Sequence, residues 1–173
     1  MPLSRRMLPF DARWDYLWRM QFYKMNGCGN AFAIFDARQT PFALTAEAAR
    51  AIANPESGAG CDQVIVMEPP QAPSADVFMR IYNADGSQVS ACGNATRCVA
   101  WLVLEETGGR ALSIETGAGL LHAERVASHT ISVDMGQPGL NWEDIPLAER
   151  MDTRGIDIKI GPIDNPYLSL PGA

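Results

Sequence analysis

The sequence predicts an α+β fold in which short strands outnumber helices. Three observations carry this. Apolar or alternating runs of strand length recur at 63–67, 77–82, 111–115, 120–126 and 131–135, each short for a packed helix. Turn formers separate them, Asn83-Ala84-Asp85-Gly86 being the strongest. Only two stretches look helical: an alanine-rich one at 46–53, and a longer one that begins at Asn94 and is stopped by Gly108-Gly109.

In chain order, 21–25 is a short strand, and Asn26-Gly27-Cys28-Gly29-Asn30 is a Gly-rich turn that lets backbone approach a neighbour closely. Residues 31–35 return as a strand, giving a hairpin-like pair. Thr45 is the N-cap of the 46–53 helix, which ends near Asn54-Pro55. Ser57-Gly58-Ala59-Gly60 is a flexible loop into the buried strand at 63–67, and 69–73 is another loop. After the strand at 77–82 and its turn, 87–90 continues extended. In the long helix Ala95, Cys98 or Val99, and Leu102 share one stripe. Turns at Thr116-Gly117 and Ser128-His129 divide the last three strands of this part. Residues 136–144, with Pro138 and Gly139, form a loop and a candidate domain boundary. A further strand is expected at 156–160, where apolar and polar residues alternate.

Composition narrows the function classes. With 47% apolar and 20% charged residues in a chain of 173, one core of ordinary size is feasible. A net charge of -6 and a pI near 4.8 argue against a nucleic-acid or anionic-membrane partner. No apolar run is long enough to span a bilayer as a helix. Cys28, Cys61, Cys92 and Cys98 contain no Cys-x-x-Cys pair, and only His122 and His129 could assist, so no metal site is expected. With no secretory signal ahead of them, reduced thiols in a cytoplasmic enzyme are expected instead of a disulfide framework. Residues 1–19, with Arg5, Arg6, Arg13 and Arg19 among large apolar residues, differ in composition from the rest of the chain. Asp11 and Asp15 are wrong for a transit peptide, so this segment reads as an extension or an over-extended start before Met20.

Cys92 is the residue best placed for chemistry. It stands between a turn and the first residue of the long helix, where free backbone N–H groups and the positive dipole end favour an anion, a thiolate included. The N–H groups of Gly93 and Asn94 can hold a carboxylate, and Gly93 permits close approach. A thiol beside an anion cradle suits abstraction of the proton next to a carboxylate. Inverting that centre without a cofactor needs a second acid on the opposite face. The amides Asn30, Gln63 and Asn83 adjoin turns or strand ends and suit a zwitterionic small molecule. Cys98 is expected in the core, Cys28 and Cys61 as structural or incidental, His122 and His129 as exposed, Trp101 as packed. Met67, Met79 and Met135 are expected as core filler.

From Met20 onward the motifs together resemble diaminopimelate epimerase. They are Met25-Asn26-Gly27-Cys28-Gly29-Asn30-Ala31-Phe32, Gly60-Cys61-Asp62-Gln63, Asn83-Ala84-Asp85-Gly86, Ala91-Cys92-Gly93-Asn94-Ala95-Thr96-Arg97-Cys98 and, in outline, Asp134-Met135-Gly136-Pro138. The resemblance implies a mixed or antiparallel sheet wrapped around a central helix, as the first of two such domains, with the site between them. On that basis 20–136 is the first epimerase domain and 137–173 the start of a second. It further implies interconversion of LL- and meso-2,6-diaminopimelate for lysine and peptidoglycan precursors, no cofactor, two cysteines, and a homodimer for the complete protein. By the same resemblance Cys92 is the proton acceptor, Gly93 and Asn94 bind the carboxylate, and Asn30, Gln63 and Asn83 bind substrate.

The sequence departs from that pattern at Asn26, where the family usually has histidine, at Ala31, usually aspartate, and at Ala95, commonly glycine. The later Gly-Asn-Pro-His segment, the Glu-Arg pair and the second-cysteine motif Cys-Gly-Thr-Gly are not found in these residues; Asn165-Pro166-Tyr167 lacks the flanking residues and takes no role. Two alternatives stay open: a related racemase or isomerase of the same fold (proline racemase-like or phenazine-biosynthesis isomerase-like), and a non-catalytic half-domain that only binds a ligand.

Overall fold

The structure is a computed structural model that describes residues 5–6, 20–145, 147 and 150–154. The strand expected at 156–160, Asn165-Pro166-Tyr167 and most of 1–19 lie outside the described residues. The chain divides into two compact units, Met1–Met135 and Gly136–Ala173. The described part of the second unit holds a turn in which Asn141 Nδ2 donates to Asp144 at 3.0 Å, and Thr153 Oγ1 donates to the Leu140 carbonyl at 2.5 Å.

The first unit is a mixed sheet with two helices among its described residues. Its elements are β1 (Arg5–Arg6), β2 (Phe22–Gly27), β3 (Asn30–Asp36), α1 (Ala46–Ala53), β4 (Gln63–Glu68), β5 (Val77–Asn83), β6 (Gln88–Val89), α2 (Gly93–Thr107), β7 (Ala111–Thr116), β8 (Gly119–Ala127) and β9 (Thr130–Asp134). The strands lie in the order β1-β2-β3-β4-β5-β7-β8-β9, with β6 pairing β5. Most neighbours are antiparallel. β4 runs parallel to β3, and β7 parallel to β5, because each of those connections passes through a helix.

Side-chain alternation splits the sheet between two cores. Phe32, Ile34, Ile65, Met67, Met79 and Ile81 pack with Ala95, Cys98, Val99 and Leu102 of α2. Ala33, Phe35, Val64, Val66 and Tyr82 pack with Ala48, Ala49 and Ile52 of α1. The central strands β3 and β4 are thus covered on both faces, which is why 63–67 is a continuous apolar run rather than an alternating one. Each large side chain so buried contributes roughly 1.5–3 kcal/mol. The sheet curls around α2, which touches β2, β3, β7, β8 and β9. The fold is α+β, as the sequence predicts.

Local chemistry sets the helix ends. Thr45 caps α1, its Oγ1 accepting from Ala48 N–H at 3.2 Å. Gly108 ends α2 in the left-handed region at φ 69, returning its N–H to Leu104. One core assignment fails: Met135 is 48% exposed. It lies one residue past the end of β9, beside Gly93 at the very start of α2, so the helix covers it only in part.

Candidate active site

Cys92 is the N-cap of α2, in extended backbone (φ -155, ψ 106) and half-buried. Its side chain makes no capping bond to the first turn. The first ladder bond is Thr96 N–H to the Cys92 carbonyl at 2.9 Å, and buried Thr96 Oγ1 donates to the same oxygen at 2.8 Å. Two donors on one carbonyl fix the Cys92 backbone. Ahead of them, the N–H groups of Gly93 and Asn94 lie in the first turn, where a helix supplies no carbonyl partner and an anion is favoured. A Cβ at Gly93 would stand 3.4 Å from Met135 Sδ and 3.9 Å from Arg97 Nη1, which are ordinary contact distances.

The β2–β3 hairpin brings Asn30 to this helix start. Its turn is Cys28-Gly29, with φ 51 and 93, the pair of positive values of a type I′ turn. Gly27 presses the hairpin against α2: a Cβ there would meet the Asn94 carbonyl at 3.0 Å and Cys98 Sγ at 3.1 Å. Across that contact Asn94 Nδ2 donates to Asn30 Oδ1 at 2.7 Å. Arg97 donates to Asn94 Oδ1 and, at 3.3 Å, to Cys28 Sγ.

Gln63 and Asn83 meet at the neighbouring strand ends. Gln63 opposes Phe32 on one side and Asn83 on the other. By alternation Asn30, Gln63 and Asn83 share the face that holds Phe32, Ile65, Ile81 and α2. Asp62 ties the start of β4 to β3: its N–H donates to the Ala31 carbonyl at 2.8 Å, and its carboxylate accepts from Ala31 N–H at 2.7 Å. Lys24 reaches the carbonyls of Ala59 and Gly60 and pins the loop that leads there. Gln63 Nε2 donates to Asn83 Oδ1 at 2.9 Å, and Asn83 Nδ2 to Ser87 Oγ at 3.1 Å.

The other cysteines fall differently. Cys98 is 5% exposed within the α2 core, and burial pushes its thiol up to about 11. The Arg97 charge opposes that shift, while Cys92 and Cys28 add to it, so these four side chains are electrostatic neighbours. Burial likewise raises the Cys61 thiol, against the nearby Lys24 charge. Cys28 is exposed at the hairpin tip. His122 and His129 are exposed, as the sequence predicts. A cavity of about 520 Å³ is lined by Phe42, Leu44, Glu68, Arg80 and Tyr82, among others. It belongs to the α1 side of the sheet, away from Cys92. No described helix is long and apolar enough to cross a membrane.

The family model for diaminopimelate epimerase matches residues 22–140. The chain belongs to the diaminopimelate epimerase family. It is 53% identical over 145 residues to the diaminopimelate epimerase of Acidiphilium cryptum (strain JF-5), covering 84% of this chain and 52% of that protein. It is 47% identical over 157 residues to that of Caulobacter sp. (strain K31), covering 87% of this chain and 54% of the relative. The chain thus spans about half the length of the curated relatives it matches. Among solved structures, a hydroxyproline epimerase from Agrobacterium vitis superposes with a TM-score of 0.50 at 19% identity, over 66% of this chain and 40% of that one. That likeness concerns the fold alone.

In this diaminopimelate epimerase family chain, the structure brings Asn30 to Asn94 and Gln63 to Asn83, all on the α2 side of the sheet. Sequence reasoning missed Asp62, Arg97, Asp85 and Ser87, which touch those amides or hold their strands. Two signals could have found them: Asn94 and Arg97 are spaced i, i+3 on one helix face, and Asp85-Gly86-Ser87 is an Asx-type turn.

Proposed function

We propose that this chain supplies one half of a cofactor-independent epimerase site that interconverts LL- and meso-2,6-diaminopimelate, a step toward lysine and peptidoglycan precursors. The carrying observation is Cys92 at an uncapped helix start, with Gly93 and Asn94 N–H groups beside it and Asn30 hydrogen-bonded to Asn94. The Cys92 sulfur takes the α-proton while the first-turn N–H groups hold the carboxylate, onto which charge is delocalised as the C–H bond breaks. A second thiol on the opposite face returns a proton to the same carbon, so no net proton is lost. The family resemblance puts that thiol in the Cys-Gly-Thr-Gly segment not found in these residues. The complete protein would be a cytoplasmic homodimer with a small-molecule substrate. Identity of about half to named diaminopimelate epimerases favours this substrate over other isomerases of the fold.

The test is solvent deuterium exchange into diaminopimelate. The 173-residue chain alone should show no appreciable turnover. Joined to the remaining half of a relative it should exchange, and Cys92→Ala should abolish that exchange. Robust turnover by the chain alone overturns the two-thiol mechanism. No exchange in the joined protein overturns the activity.

A further inference from the structure

Two chains of hydrogen bonds end at the site amides, and each is anchored by a group of only one polarity. A guanidinium can only donate. Arg97 therefore makes Asn94 Oδ1 the acceptor, which turns Asn94 Nδ2 into the donor toward Asn30 Oδ1 at 2.7 Å. The free end of that chain is Asn30 Nδ2, a donor. An ionised carboxylate can only accept. Asp85 Oδ1 accepts from Ser87 Oγ at 2.6 Å and from Ser87 N–H at 2.8 Å, and these bonds hold its carboxyl below the usual carboxylate range. With its O–H directed at Asp85, Ser87 Oγ accepts from Asn83 Nδ2 at 3.1 Å. Asn83 Oδ1 then accepts from Gln63 Nε2 at 2.9 Å. The free end of this chain is Gln63 Oε1, an acceptor, and it is enclosed without a hydrogen-bond partner among the described residues.

Amides are the side chains whose polarity is otherwise free to reverse by a flip about the terminal bond. Here a flip at any one amide would set donor against donor or acceptor against acceptor. Such a flip would break the hydrogen bonds on which the chain depends. We infer that Arg97 on one side, and Asp85 with Ser87 on the other, are positioning residues that fix the site amides in opposite senses, Asn30 as donor for a substrate carboxylate and Gln63 as acceptor for a substrate ammonium. The inference rests on the proposed zwitterionic substrate for its meaning, but the polarity itself is set by the two anchors. Asn30 and Gln63 stand on adjacent strands, two residues out of register, since Phe32 opposes Gln63. That offset is about 8 Å between backbones, a span a small amino acid can bridge.

The experiment uses the 173-residue chain and side-chain amide NMR with two half-probes. Pimelate carries the carboxylates and no ammonium; cadaverine carries the ammonium groups and no carboxylate. In the wild type, pimelate should shift the Asn30 Nδ2 and Gly93 N–H signals, and cadaverine the Gln63 amide. Arg97→Met should weaken pimelate about tenfold or more, the scale of one hydrogen bond to a charged group, and spare cadaverine. Ser87→Ala should do the reverse, and Ser87→Thr should restore the wild-type response. Arg97→Gln, which can flip, is a second variant should Arg97→Met not fold, and it should also lose pimelate. A purely structural role would weaken both probes together. That result, a swapped response, or no response to either probe overturns the inference. Deuterium exchange into diaminopimelate judges the proposed activity separately, so the two can fail independently.

Discussion

Asn94 and Asn30 join the start of α2 to the first residue of β3 through a single 2.7 Å side-chain hydrogen bond. The bond lies beside the Cys92 N-cap, so the second residue of the helix also holds the hairpin. This predicts that Asn94→Asp will separate stability from binding. A carboxylate in the first helical turn next to Arg97 gains up to about 1 kcal/mol from dipole and charge, offsetting the lost Asn30 bond. The same charge beside the first-turn N–H groups repels a substrate carboxylate by a few kcal/mol at an effective dielectric near 20, which weakens pimelate about tenfold to a hundredfold. Thermal melting and an NMR titration together check this. A large fall in melting temperature, or unchanged pimelate affinity, would contradict it.

Cys28 is the non-glycine residue with positive φ among those described, at 51, in the first position of a type I′ turn. Asparagine tolerates that conformation better than cysteine does, and Asn-Gly is the preferred pair for this turn. Cys28→Asn should therefore stabilise the unit by up to about 1 kcal/mol, while keeping an acceptor for Arg97. A urea midpoint raised at unchanged slope would show it, and a lowered midpoint would count against the turn assignment.

Much of this fold could be read from the sequence, because its signals are local. Thr45 caps α1, Gly108 ends α2, and the strands at 63–67 and 77–82 each prove one residue longer than expected. The amides Asn30, Gln63 and Asn83 are legible in the sequence as polar residues beside turns or strand ends, but their shared face depends on register across three strands. Arg97 was hidden for a different reason. An arginine near a helix start looks like a solvated charge until the hairpin folds against it. Met135 differs from the core expectation because an apolar residue in a strand pattern does not reveal where the helix packed on that strand begins. Its sulfur instead flanks Gly93 at the helix start.

Gly86 and Gly29 both have positive φ, yet they should tolerate alanine very differently. A Cβ at Gly86 (φ 82) would stand 2.3 Å from the Ala46 carbonyl oxygen and 2.9 Å from its carbon, so the β5–β6 turn must part from α1. At Gly29 (φ 93) a Cβ meets nothing within 4 Å. Gly29→Ala should cost about 1 kcal/mol of backbone strain. Gly86→Ala should cost that plus overpacking, about 2–4 kcal/mol in all. Urea denaturation of both variants checks the order, and equal losses would contradict the close approach of the turn to α1.

Cys98 should make the protein lose stability in alkali, and the sign follows from its burial. An unfolded cysteine ionises near its ordinary 9.0, whereas the folded thiol is pushed up to about 11. Between those values the folded state keeps a proton that the unfolded state has released. Unfolding is therefore favoured more as pH rises. The contribution is fully present below about pH 9 and is lost as pH rises through about 11. Other groups titrate in the same range, so the informative quantity is the difference between wild type and Cys98→Ala. The variant should be less stable at neutral pH by about 1–2 kcal/mol, because a small buried side chain is removed. Its stability should then fall less steeply between pH 9 and 11, so the gap between the two proteins narrows. Urea midpoints at several pH values measure the gap. Parallel pH curves would show that Cys98 does not carry the shift. Iodoacetamide labelling at pH 8 gives a second check, since exposed Cys28 should react well before Cys98, and the reverse order would contradict the placement of Cys98 in the α2 core.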